Sequence, residues 1–156
     1  MTPTQFVASL PKERQAIIKS LRSSIIKSDP DVREAVGMMM GKQMLIFFEG
    51  DTMKYALSSM KDYMSFHSMV MYGMAKKFGG SSIREQYEGL LPNVKFQQGC
   101  MNFRSAADLP LEIIEPFIVA MGKIKLPVRE QKKTARVVPS ASVRQNKASS
   151  VGRTKQ

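Results

Sequence analysis

The 156-residue chain has one cysteine, one histidine and no tryptophan, and none of its apolar runs approaches the ~20 residues needed to cross a bilayer. A lone thiol, Cys100, forms no internal disulfide, so packing must hold the core, as suits a reducing compartment. Charged residues recur from Lys12 onward, unlike the unbroken apolar centre of a secretory leader. A soluble cytoplasmic protein with no membrane partner is expected. Spaced phosphate-cradling glycines are missing too, since Gly79-Gly80 stands alone before a helical stretch and reads as punctuation. No internal repeat appears.

Positive charge is plentiful but unevenly placed. Residues 1–127 carry 16 Lys and Arg against 12 Asp and Glu, whereas residues 128–156 carry 8 against 1. The second stretch is rich in Ser, Gln, Lys and Arg and has no aromatic residue, so it cannot bury enough apolar surface to offset the entropy of ordering. Residues 1–127 are expected to form one domain and residues 128–156 a basic disordered tail. Such an arm, through Arg129, Lys132, Lys133 and Arg136, can follow phosphates and hold nucleic acid without sequence preference. The plainer reading is a solvated tail, because no stacking residue interleaves its cations.

The densest strand-forming block runs from Gln43 to Ser58. Met53, Tyr55 and Leu57 alternate with Thr52, Lys54, Ala56 and Ser58, the period of a strand with one drier face. Met44–Phe48 is apolar on both faces and so predicts a central strand, or one covered on its second side by something other than water. Between them Glu49-Gly50-Asp51 supplies a glycine for a tight reversal.

Around this hairpin the chain alternates helix and strand signals. Thr2, Pro3 and Gln5 predict a capped short helix, and Pro11 restarts the chain into a helix to about Ser28. Its apolar stripe is Ile17, Ile18, Leu21, Ile25 and Ile26, and Asp29-Pro30 ends it. Tyr63–Ser68 predicts a strand with Met64 and Phe66 on one face and Tyr63, Ser65 and His67 on the other. Helices are expected over Met69–Phe78 and from Ser82 to near Asn93. Val94–Arg104 reads as a strand region with a bulge, bend or close approach at Gly99. The last helix starts from Asp108-Leu109-Pro110, and Pro116 inside it predicts a kink or a late start.

Three constellations bear on chemistry. Ten of the 13 methionines lie between Met38 and Met74, and with His67 they suggest soft-metal ligation; pliable core filling accounts for them more simply. Cys100 and His67 are a nucleophile and base only if their strands are neighbours and the thiol is activated. Asp29, Asp31 and Glu34 form the nearest carboxylate cluster able to hold iron loosely, with Glu49 and Asp51 second. Acidic residues are also common at such turns without binding anything.

Several signatures occur in one order: Leu10-Pro11-Lys12-Glu13-Arg14, Asp29-Pro30 with Glu34, Met60-Lys61-Asp62, Gly99-Cys100-Met101-Asn102-Phe103 and Asp108-Leu109-Pro110-Leu111-Glu112-Ile113-Ile114. Over residues 5–125 the chain resembles the YdhG-like domain family, small bacterial proteins mostly of unknown function that include a frataxin-like intracellular iron chaperone. The resemblance implies a two-layer α+β fold with a mainly antiparallel sheet covered by helices. Members often place a histidine two residues after the lysine matching Lys61, where this chain has Tyr63, a narrower metal ligand.

The expectation is a non-enzymatic module without a cofactor, binding a small ligand, a metal or a protein partner near Lys61, Tyr63, His67 and Phe103. The alternatives are iron carriage through Asp29, Asp31 and Glu34, and nucleic-acid association through the tail.

Overall fold

The computed structural model describes residues 1–72 and 80–127, with side chains described from residue 83 onward in the helix that begins at Gly80. Within them the compact unit is Met1–Leu126. Helix α1 (Pro3–Ala8) and helix α2 (Lys12–Ser28) precede strands β1 (Arg33–Met39), β2 (Lys42–Glu49), β3 (Thr52–Ser59) and β4 (Met64–Ser68). Helix α3 (Gly80–Glu88), strands β5 (Lys95–Phe96) and β6 (Cys100–Phe103), a 3-10 turn at Ala106–Asp108 and helix α4 (Leu111–Gly122) complete the unit. The six strands form one antiparallel sheet in the order β1-β2-β3-β4-β6-β5. The architecture is α+β, as the sequence predicts.

The capping box at α1 is formed as expected: the Thr2 hydroxyl accepts from the Gln5 amide at 3.1 Å, and the Thr2 amide donates to Gln5 Oε1 at 2.8 Å. Helix α2 buries Ile17, Ile18, Leu21 and Ile25, whereas Ile26 turns outward and is 40% exposed. Stripe membership by spacing was one residue too wide there. These side chains meet Leu45, Phe47, Tyr55, Leu57, Phe66, Met101 and Phe103 from the sheet and Ile114, Phe117, Ile118 and Met121 from α4 in a single core. At roughly 1.5–3 kcal/mol for each large apolar side chain buried, this face dominates the stability of the fold.

The second sheet face is apolar only at one end. Met44, Ile46 and Ala56 cluster there, with Met39, Phe48 and Met53 packed against them, and all six belong to β1, β2 or β3. Strand β2 lies between β1 and β3 and is thus a central strand, one of the two places that its apolar faces predict.

Three local expectations need correction. Strand β1 was not foreseen, because Arg33-Glu34-Ala35-Val36-Gly37-Met38-Met39 holds little β-branched or aromatic character; pairing with β2 overrides that propensity. Met69–Tyr72 is a turn rather than the start of a helix, and the rest of the helix expected to Phe78 lies outside the described residues. Helix α3 starts at Gly80 and stops at Glu88, short of Asn93. The strand region Val94–Arg104 bends at Gln98-Gly99 as expected, forming the β5–β6 hairpin, where the Gln97 amide donates to the Cys100 carbonyl at 2.9 Å. A Cβ on Gly99 would lie 2.7 Å from the Tyr72 ring, so the turn needs glycine for space. Helix α4 runs through Pro116 without a late start.

Candidate functional site

Side chains alternate between the faces of a strand, so register places the outward residues of β4, β6 and β5 in rows. Ser65 pairs with Asn102, which pairs with Lys95. Beyond the paired residues, Tyr63 immediately precedes β4, Arg104 immediately follows β6 and Asn93 lies in the turn before β5. In the other direction His67 pairs with Cys100, followed across the hairpin by Gln97. Every side chain in these rows is polar or titratable. The other half of the same face, over β1 to β3, is the apolar cluster of Met44, Ile46 and Ala56.

The rows open into a cleft of about 680 Å³. Tyr63, Lys95, Gln97, Asn102 and Arg104 line it, joined by Asp62 from the β3–β4 loop, Asn93, Phe103 and Asp108. Its polar walls are wired together. Ser65 Oγ donates to Asn102 Oδ1, Asn102 Nδ2 donates to Gln97 Oε1 at 3.3 Å, and the Cys100 thiol donates to the same Gln97 oxygen at 3.2 Å. On the far rim, the Arg104 amide donates to Asp108 Oδ2 at 2.8 Å.

The loop before β4 is held from helix α2. The Arg14 guanidinium donates to the carbonyls of Met60, Lys61 and Tyr63 and to Ser59 Oγ. A planar fork of N–H donors suits several converging carbonyls. Two of the sequence signatures, the Leu10–Arg14 segment and Met60-Lys61-Asp62, therefore meet in space and fix one wall of the cleft.

Of the expected pocket residues, Tyr63 and Phe103 line the cleft. Phe103 is 1% exposed and belongs to the core face. His67 shares Tyr63's sheet face but lies outside the cleft lining, with Nε2 3.3 Å from Ser58 Oγ. Lys61 is exposed on the loop and is likewise not among the lining residues. Sequence reasoning missed Lys95, Gln97, Asn102 and Arg104, whose meeting with Tyr63 depends on the β4–β6 and β6–β5 registers.

Cys100 and His67 do occupy neighbouring strands, as directly paired residues. Burial raises the Cys100 thiol pKa, although Arg84 pulls it partly back, and burial lowers that of the His67 imidazole. Both shifts favour the uncharged forms, the opposite of an activated thiolate beside an imidazolium.

The three carboxylates considered for iron are each engaged by cations. Asp29 is buried 2.7 Å from Lys54, Asp31 is 3.1 Å from Lys125, and Glu34 receives two hydrogen bonds from Arg22 at 2.7 and 2.8 Å. Among the described residues, no group of three or more His, Cys, Asp or Glu side chains is placed to hold a metal ion. Glu49 also belongs to the Asp29 cluster, 3.1 Å from Lys54 and accepting from the Leu126 amide at 2.6 Å. Arg129, Lys132, Lys133 and Arg136 lie outside the described residues.

The methionines divide by position. Met64, Met71, Met101 and Met121 fill the main core and Met44 the second cluster, while Met38 and Met40 stand 69% and 75% exposed around the β1–β2 turn. The cleft is not lined by methionine. Among the described residues no helix is long and apolar enough to cross a membrane. No family model, curated protein or solved structure matches the chain.

Proposed function

We propose that the domain is a binding module that takes a small polar ligand in the cleft between Tyr63, Asn102 and Arg104 and performs no covalent chemistry on it. The observation that carries this reading is the convergence of five polar side chains, Tyr63, Lys95, Gln97, Asn102 and Arg104, on one open cleft. Convergent polar groups over a rigid sheet fix a ligand's orientation. Uncharged Cys100 and His67 beside the cleft supply neither a thiolate nor a charged acid at neutral pH. A cytoplasmic location and YdhG-like membership belong to the same reading. The contact between Arg14 and residues 59–63 supports the resemblance by joining two of its signatures.

Thermal unfolding against a panel of polar metabolite-sized compounds tests the proposal. A ligand at 100 times its Kd should stabilise the wild type by about 2.7 kcal/mol. Tyr63→Ala should lose most of that gain while keeping its ligand-free midpoint within a few degrees. Panel members that leave the midpoint unchanged, or shift wild type and variant alike, would remove the cleft from consideration.

The basic stretch 128–156, with 8 Lys and Arg against 1 acidic residue, supports a second reading as a nucleic-acid-associated arm. Retention on duplex DNA that falls steeply with salt and vanishes in a Lys132→Gln/Lys133→Gln/Arg136→Gln variant is the expected sign. Iron carriage through Asp29, Asp31 and Glu34 has less support, since metal would have to displace Lys54, Lys125 and Arg22.

A further inference from the structure

Hydrogen-bond directions around the cleft define what its ligand must offer. Gln97 Oε1 already accepts from Asn102 Nδ2 and from the Cys100 thiol, which fixes the amide's orientation and leaves its Nε2 protons without an acceptor. Asn102 spends its own oxygen on Ser65. Among the described residues, no carboxylate lies within 4.0 Å of Lys95 Nζ or the Arg104 guanidinium, and neither side chain donates a hydrogen bond. Both cations are exposed at the β5–β6 side of the cleft. The cleft also holds two carboxylates, Asp62 on the β3–β4 loop and Asp108, whose Oδ2 accepts from the Arg104 backbone amide rather than from either cationic side chain.

On this basis, and resting on the binding-module reading, we propose that the cleft selects a ligand bearing an oxyanion, a carboxylate or a phosphate, held by Lys95, Arg104 and the Gln97 amide. The planar fork of Arg104 suits two oxygens of one such group, Lys95 supplies a point charge, and Gln97 adds a neutral donor. A neutral ligand would forgo the charge-assisted hydrogen bonds that these two cations offer an oxyanion.

The test uses the full-length ¹⁵N-labelled chain, titrated separately with sodium phosphate and sodium succinate at constant ionic strength set with chloride. Side-chain amide resonances of Gln97 and Asn102 report the cleft, and the tail is read independently through the backbone amides of Lys132 and Lys133. The proposal expects saturable shifts at Gln97 and Asn102 with one or both anions, the tighter anion naming the source of the oxyanion. Binding at least tenfold weaker is expected in Lys95→Gln/Arg104→Gln, whose exposed side chains can change without loss of the fold. Lys132→Gln/Lys133→Gln should leave the cleft titration unchanged. Shifts confined to the tail, or equal in wild type and the cleft variant, overturn the proposal. If a neutral panel compound moves the Gln97 and Asn102 amides while both anions do not, the oxyanion inference fails and the binding module stands. If nothing moves them, both fall.

Discussion

Lys54 and Asp29 meet at 2.7 Å with no solvent exposure of either side chain. The contact exists because the β2–β3 register slips between Phe47 and Phe48, which allows adjacent residues of β3 to reach the same carboxylate. Tyr55 donates to Asp29 Oδ2 at 3.0 Å, while Lys54 also donates to the Ile124 carbonyl at 2.6 Å and to Glu49 at 3.1 Å. Burial, then the nearby Asp29 charge, drives the Tyr55 pKa far up, so the phenol stays a donor. Asp29 Oδ1 has no hydrogen-bond partner, only the charge of Lys125 at 3.5 Å. The network ties the end of α2, the bulge and the chain leaving α4.

Removing one member should therefore cost far more than the pair contributes. Lys54→Met leaves buried Asp29 and half-buried Glu49 with only the more distant, exposed Lys125 as a cation and is expected to lose roughly 3–5 kcal/mol, while Lys54→Met/Asp29→Leu should recover much of it. Urea unfolding of both single variants and the double variant measures the coupling. Additive losses would contradict it.

Loss of the Arg14 fork should loosen the β3–β4 loop. Arg14→Ala is expected to cost about 1–2 kcal/mol, since the guanidinium is only half-buried, and Arg14→Lys should restore little because an ammonium cannot span the same carbonyls. Amide exchange at residues 60–63 should quicken in both variants, with β1 unaffected.

His67 gives the fold an acid-sensitive component. Burial lowers its folded-state pKa, so below the ordinary value of about 6.5 the unfolded chain takes up a proton that the folded chain refuses. Its contribution is complete above that value and declines as pH falls toward the lowered pKa. The urea midpoint of the wild type should drop more than that of His67→Gln between pH 7.5 and 5.0. Parallel profiles would rule the effect out.

Two backbone positions should respond in opposite directions. A Cβ on Gly122 would lie 2.8 Å from the Ser28 carbonyl oxygen, so Gly122→Ala should cost roughly 1–3 kcal/mol by forcing α4 from α2. Met40 sits at φ 52° in the β1–β2 turn, exposed, and Met40→Gly should gain up to about 1 kcal/mol. Thermal midpoints of the two variants on either side of wild type are the expected result.

Legibility in the sequence followed the range of the interactions involved. The β2–β3 hairpin was readable because alternation and Gly50 are local, and Gly50 does take a positive φ of 62°. The α1 capping box was readable for the same reason. Strand β1 was not, because its residues acquire strand character only from β2. The site divides the same way. Alternation put Tyr63, Ser65 and His67 on one face, but Arg104, Asn102 and Lys95 reach that face through pairings between segments distant in sequence. The carboxylates close in sequence at Asp29, Asp31 and Glu34 are each engaged by a cation from another part of the chain, Lys54, Lys125 or Arg22, and sequence spacing carries no sign of those partners.

Arg14 grips residues 60–63 by main-chain oxygens alone, and every residue type presents that same oxygen. The loop's path is thus written outside the loop, which leaves Lys61 and Asp62 free to be exchanged without redrawing it. One wall of the cleft is in effect an interchangeable cassette on a fixed mount, and a library randomised at Asp62, which lines the cleft, would vary ligand preference while folding remains constant.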